Sequence, residues 1–188
     1  LMESREGVPG GLRLSYATLG AFTKYPKASL PHRPTTHVAD KKFGFFNAQQ
    51  NDYQAVATDL GLVAADDTLM RHPLAYLVEA ADDICYTLID FEDGINLGWI
   101  SEDYALEYLI NLVKDSIDTN KYQQLITKTD RLAYLRALSI STLIQEAAQL
   151  FMQHEQEILT GTFAMSLTDK SSYKAQIKDI IDLSIRNI

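Results

Sequence analysis

The positions of the chain-breaking residues constrain this sequence most. All five prolines, Pro9, Pro26, Pro31, Pro34 and Pro73, fall in its first part, and after Gly98 the only glycine is Gly161. A proline-free stretch with one glycine, rich in Leu, Ile, Ala and Gln, favours helices, because nothing in it removes a backbone donor or loosens the chain. Apolar spacing agrees. Ser101, followed by Glu102 and Asp103, opens a predicted helix carrying Leu106, Leu109, Ile110 and Val113, with a capping hydroxyl and acids at the positive dipole end. A longer helix is predicted from about Asp130 to Thr160, closed by Gly161, with Leu132, Leu135, Leu138, Leu143, Leu150 and Ile158 as its stripe. A last helix starts near Ser171 and keeps Tyr173, Ile177, Ile180, Ile181 and Ile188 at helical spacing. The expected class is all-α, a multi-helix bundle.

The breaker-rich part is also helical between its punctuation. Leu12, Tyr16, Leu19 and Phe22 share one face of a helix expected from Leu12 to about Lys24 and ended by Pro26, which disfavours helix geometry in the residue before it. Residues 27–40 form a Pro-rich loop, and "KKFGFF" at 41–46 reads as either extended or turned. A helix from about Ala48 to Leu60 stops at Gly61 in the left-handed C′ position. Pro73 suits the first turn of the next helix, which should reach Phe91 or beyond before Gly94 and Gly98 loosen it.

Composition excludes several classes. The 188 residues suit one domain, and charges interrupt every apolar run well short of the ~18 residues a membrane helix needs. Lys+Arg number 17 against Asp+Glu 25, a net charge of −8 and a pI near 4.9, so general nucleic-acid binding is not implied, although a single local basic pocket is compatible with this balance. The single cysteine, Cys85, forbids an internal disulfide and fits a reducing cytoplasm; it reads as buried packing. The chain opens Leu1-Met2, with no signal peptide, and its last apolar helix runs to Ile188 without a stop signal. An internal piece of a longer protein is the expectation.

Chemistry concentrates after Pro73. In "PLAYLVEAADDICYTLIDFEDGI", Asp82, Tyr86 and Asp90 are spaced i, i+4, i+8 and share one helix stripe. Like charges along a helix gain nothing from each other; a functional stripe would bind a metal through Asp82 and a hydroxylated ligand through Tyr86 and Asp90, but spacing alone favours the plainer alternative. A solvated face with Tyr86 snorkelling gives the same spacing. Trp99 reads as packed at a helix junction, Asp66-Asp67 as a solvated turn, and His72 as a helix cap. His154 sits among Gln153, Glu155 and Gln156, an exposed face, and His32 and His37 lie in the Pro-rich loop.

Arg71 to Ile95, "RHPLAYLVEAADDICYTLIDFEDGI", resembles the signature helix of the HD-superfamily deoxynucleotide triphosphohydrolases, the dGTPase-like family. "LSYATLGAFTKYPK" at 14–27 and "KKFGFF" at 41–46 match in the same order, so the resemblance covers most of 12–98. It implies hydrolysis of a deoxynucleoside triphosphate, dGTP or several dNTPs, to the deoxynucleoside and inorganic triphosphate. A divalent metal, Mg, Mn or similar, is held in the family by His, a His-Asp pair and a distant Asp. Asp82 matches the distant Asp, Tyr86 the tyrosine packed on the deoxyribose, and Asp90 the carboxylate on the sugar hydroxyl. Lys24 and Tyr25, with Lys42 (Lys41 in the alternative register), match residues holding the triphosphate.

The upstream His…His-Asp half is missing, since none of His32, His37, His72 and His154 precedes an Asp. The resemblance therefore implies part of one helical dNTPase domain: 12–98 carries substrate and metal residues, and 99–188 continues the helices. This chain alone is expected to be inactive, with no catalytic residue of its own. The family's assembly implies a homo-oligomer, for which the helix from Asp130 is a candidate interface. The competing reading is a nucleotide-binding regulatory or assembly module without catalysis.

Overall fold

A computed structural model describes residues 12, 14–29 and 38–187. Among them are nine α-helices and no strand, only two isolated β-bridges; the all-α expectation holds. The helices are α1 (Tyr16–Phe22), α2 (Gln50–Asp59), α3 (Pro73–Asn96), α4 (Glu102–Val113), α5 (Thr119–Gln124), α6 (Lys128–Gln153), α7 (Glu155–Leu159), α8 (Leu167–Lys170) and α9 (Lys174–Asn187). They divide into two compact units, Leu1–Val78 with His154–Met165, and Glu79–Gln153 with Ser166–Ile188. No helix among the described residues is long and apolar enough to cross a membrane.

In the first unit α1 is shorter than its apolar spacing suggests. The Ser15 hydroxyl accepts from the Thr18 N–H and starts the helix there, three residues after the point at which Leu12 would have extended it. Only Leu19 of the predicted face is buried; Leu12, Tyr16 and Phe22 are exposed. Side-chain capping outweighs the weak pull of a marginal apolar face. Helix α2 ends as expected, with Gly61 at φ +67°. One cluster of its core is Phe45, Tyr53, Ala57 and Leu62. "KKFGFF" bends at Lys41, Lys42 and Gly44 and pairs with the chain before it at one point: the Gly44 N–H donates to the Lys27 carbonyl (3.0 Å), the Ser29 N–H to that of Phe45 (3.0 Å), and Ala28 bridges Phe45 in parallel.

The core of the second unit joins four helices. Ile84, Leu88 and Phe91 of α3 meet Leu109, Leu112 and Val113 of α4, Leu135 and Leu143 of α6, and Ile177 and Ile180 of α9. Ser101 caps α4 as expected, accepting from the Tyr104 N–H at 3.3 Å. Helix α5 lacks an apolar stripe, and Asp118 nucleates it by accepting from the Lys121 N–H.

The helix expected over 130–160 is two helices. Helix α6 stops at Gln153, and His154 sits outside helix geometry at φ −106°, ψ 17°. Its ring, far from lying on an exposed face, is half-buried against Phe163 at 5.0 Å, with Nδ1 2.9 Å from Glu157 Oε1. Those contacts hold the residue out of the helical path. The last helix begins three residues late because Glu146 accepts from the Ser171 and Ser172 hydroxyls and, at 2.9 Å, from the Ser172 N–H.

Candidate functional site

The candidate residues of the first unit are held by backbone packing. Gly44 is the key: a Cβ there would lie 2.2 Å from the Tyr25 carbonyl oxygen and 2.6 Å from Thr23 Cγ2. Only glycine lets "KKFGFF" lie against "TKYP" this closely. The packing brings Lys42 Nζ to 5.9 Å from the centre of the Tyr25 ring. Lys24 and Tyr25 are half-buried, and Lys41 and Lys42 are exposed. Below them Phe45 stacks on Tyr53 at 4.5 Å, and burial pushes the Tyr53 phenol up to about 12, against a smaller opposing influence of the Thr23 side chain.

Arg71 joins this group, although nothing in the sequence assigns it a role. It is 2% exposed, and its guanidinium lies 5.6 Å from the Tyr25 ring and 4.6 Å from the Tyr76 ring. A planar cation held between two aromatic faces is a cation–π arrangement that lysine reproduces poorly. Tyr76 is fixed in turn by donating to the Phe163 carbonyl at 2.8 Å. The available signal is the place of Arg71 at the head of the matched segment, directly before His72 and Pro73.

His72 is a cap, as predicted. Its Nδ1 accepts from the Leu74 N–H at 3.1 Å, and its carbonyl takes the Ala75 N–H at 2.9 Å. Burial lowers its pKa below the ordinary 6.5. Gly20 makes room for the ring, since a Cβ there would come within 3.0 Å of His72 Cδ2. The Asp66-Asp67 turn is solvated as expected: the Asp66 carboxylate accepts from the Thr68 hydroxyl and, at Oδ1, from the Thr68 N–H, which together lower its pKa, and Asp67 has φ +63°. His32 and His37 lie outside the described residues, as do the expectations for Leu1, Met2 and Ile188.

On α3 the helical spacing separates two faces. Ile84, Leu88 and Phe91 are buried, whereas Asp82 and Tyr86 are exposed and Asp90 is half-exposed. Tyr86 keeps 67% of its surface open. Tyr86 and Asp90 line one groove together with Asp93, Trp99 and Ile185. The neighbouring Asp83 plays a different part, because its Oδ2 accepts from Thr168 Oγ1 at 2.6 Å and ties α3 to α8. The first aspartate of "ADDICY" thus faces solvent and the second is structural.

Two expectations on this helix are corrected. Cys85 is exposed rather than buried, because it follows Ile84 by one residue, about 100° around the helix from the core face. Trp99 does stand at the helix junction, yet it is 48% exposed and forms a wall of the groove. On the opposite face, Glu92 pairs with Arg136 of α6 at the edge of a cavity of about 320 Å³ floored by Leu88, Phe91 and Leu132.

Asp82 offers one hard oxygen donor. Among the described residues no group of three or more His, Cys, Asp or Glu side chains is placed to hold a metal ion, so the described donors do not by themselves form a complete centre.

No family model matches the sequence. Curated relatives do. A deoxyguanosinetriphosphate triphosphohydrolase-like protein of Synechocystis is 39% identical over 179 residues, 92% of this chain and 40% of the relative. One of Pseudomonas aeruginosa is 38% identical over 164 residues, 85% of this chain and 37% of the relative. The deoxyguanosinetriphosphate triphosphohydrolase of Yersinia pestis is 27% identical over 187 residues, 90% of this chain and 36% of the relative. The chain thus spans about two fifths of the length of the relatives it matches. Over that span, with "TKYP", "KKFGFF" and the α3 segment in order, the chain belongs to the deoxyguanosinetriphosphate triphosphohydrolase-like family.

Proposed function

We propose that this chain is the substrate-holding part of a deoxynucleoside triphosphate triphosphohydrolase. The observation that carries the reading is the single exposed face on which α3 presents Asp82, Tyr86 and Asp90, within a family whose members are named for hydrolysis of dGTP. Each residue type suits its role. A phenol ring packed on the sugar leaves no room for a 2′-hydroxyl, and a carboxylate accepts from the 3′-hydroxyl. In the first unit, Lys24, Tyr25 and Lys42 take phosphate oxygens. The two lysines offset the negative charge of the triphosphate as water attacks the α-phosphorus in line with its bond to the sugar 5′-oxygen. That bond breaks, the 5′-oxygen leaves with a proton as the deoxynucleoside, and the triphosphate keeps the new oxygen.

Asp82 is proposed as one ligand of a divalent metal, Mg²⁺, Mn²⁺ or similar, whose other ligands come from polypeptide beyond this chain. For that reason the chain binds nucleotide without hydrolysing it; release of inorganic triphosphate by the purified chain would overturn this point. The intact protein is proposed to be a cytoplasmic homo-oligomer.

Calorimetric titration of the chain tests the reading. The wild type should bind dGTP more tightly than GTP, and Tyr86→Ala should erase that preference. Lys42→Ala should weaken dGTP while sparing deoxyguanosine. Equal affinity of the wild type for dGTP and GTP would sink the sugar assignment.

A further inference from the structure

The groove holding Tyr86 and Asp90 continues beyond them. Its volume is about 450 Å³, within the roughly 300–1,000 Å³ of small-molecule clefts. Positions 86, 90 and 93 follow at i, i+4 and i+7 and share one side of α3, and these three line the groove together with Leu97, the first residue past the end of the helix. Trp99 and, from α9, Ile185 complete its apolar wall.

Trp99 is positioned by the end of the helix. Gly98 adopts φ +76°, a left-handed turn that brings the Trp99 N–H to the Gly94 carbonyl at 2.9 Å and the Ile100 N–H to the same oxygen at 3.0 Å. Ile100 is buried and packs onto Gly94 so closely that a Cβ there would lie 2.8 Å from its Cδ1. The indole therefore projects from a fixed backbone while remaining half-exposed. Single exposed apolar residues are ordinary; Leu97, Trp99 and Ile185 walling one concavity beside a phenol and two carboxylates are not.

We propose that this extension receives the nucleobase, with Trp99 as its stacking platform and Asp93 selecting guanine. The inference rests on the reading that Tyr86 and Asp90 hold the deoxyribose. A base bonded to that sugar must lie beside it, and a flat aromatic ring is the surface a base stacks on. Asp93 is exposed and lines the same groove. A carboxylate only accepts hydrogen bonds, and guanine offers two adjacent donors, N1–H and the 2-amino group. Adenine and cytosine set a ring acceptor beside their amino group, which a carboxylate repels. Thymine flanks its one N–H with carbonyls. Only guanine satisfies both oxygens of Asp93.

Trp99 is the sole tryptophan of the chain, so its emission reports on the groove directly. Titration with dGTP should quench it to saturation, dITP (which lacks the 2-amino group) should bind more weakly, and dCTP weakest. Asp93→Asn should lower affinity for dGTP about tenfold while leaving that for dCTP unchanged. Trp99→Ala, followed by calorimetry, should weaken every base, and Trp99→Phe should restore most of the loss. If dGTP binds and Tyr86→Ala weakens it, but Trp99 emission stays constant, the platform assignment falls and the sugar assignment stands. An equal loss for all bases in Asp93→Asn would overturn guanine selection alone. Absence of any nucleotide binding by the wild type would overturn both this inference and the function on which it rests.

Discussion

The two groups of candidate residues are built by opposite means. In the first unit, Tyr25, Lys42 and Arg71 come from three separate segments and meet because Gly44 permits a close backbone approach and Arg71 lies over two tyrosine rings. In the second unit, Asp82, Tyr86 and Asp90 lie on one helix at fixed spacing, mostly exposed. The first group depends on tertiary packing for its geometry, and the second inherits its geometry from the α-helix. Substitutions in the first should therefore cost stability and binding together, whereas those in the second should separate the two.

The largest effect is expected from Gly44→Ala. Its Cβ would lie 2.2 Å from a carbonyl oxygen, and the backbone must move, at about 1–3 kcal/mol or more. Thermal unfolding should show a lower Tm; an unchanged Tm would mean that the pairing of 44–45 with 27–29 does not hold the loop. Arg71→Lys keeps the charge but loses the planar stack on Tyr25 and Tyr76, which should cost about 1–2 kcal/mol in chemical denaturation.

His72 gives the comparison a pH axis. Its folded pKa lies below the ordinary 6.5 because it is partly buried, and its cap requires an unprotonated Nδ1. The stability it contributes is complete above about pH 6.5 and is lost as pH falls toward the folded value. His72→Asn should retain a cap and flatten this acid limb in a pH series of unfolding curves; an identical limb would place the titration elsewhere. The smallest stability changes belong to the second group. Asp82→Asn, Tyr86→Phe and Asp90→Asn should each stay within about 0.5 kcal/mol of wild type, while the titrations above change. A larger drop in Tm for any of them would erase the contrast between the groups.

The sequence reveals what is local. The Ser101 cap, the Gly61 stop and the Pro73 start follow from a residue's own backbone and side-chain chemistry, and each stands at its expected position. The α3 stripe is visible for the same reason, since helical spacing alone sets it. What stays hidden depends on distant partners. The break at His154 follows from Phe163 and Glu157. Arg71 acquires its meaning from Tyr25, and the difference between Asp82 and Asp83 comes from Thr168. Cys85 and Trp99 depart from expectation because apolar neighbours in sequence do not fix which side of a helix or turn a residue occupies.

The division into Leu1–Val78 with His154–Met165 and Glu79–Gln153 with Ser166–Ile188 bears on modularity. The polypeptide passes from one unit to the other three times, once inside α3, so neither unit is a continuous cassette. A truncation at any single point removes residues from at least one core. Gene fusion or exchange would therefore carry this region as a whole, and the two groups of candidate residues would travel together.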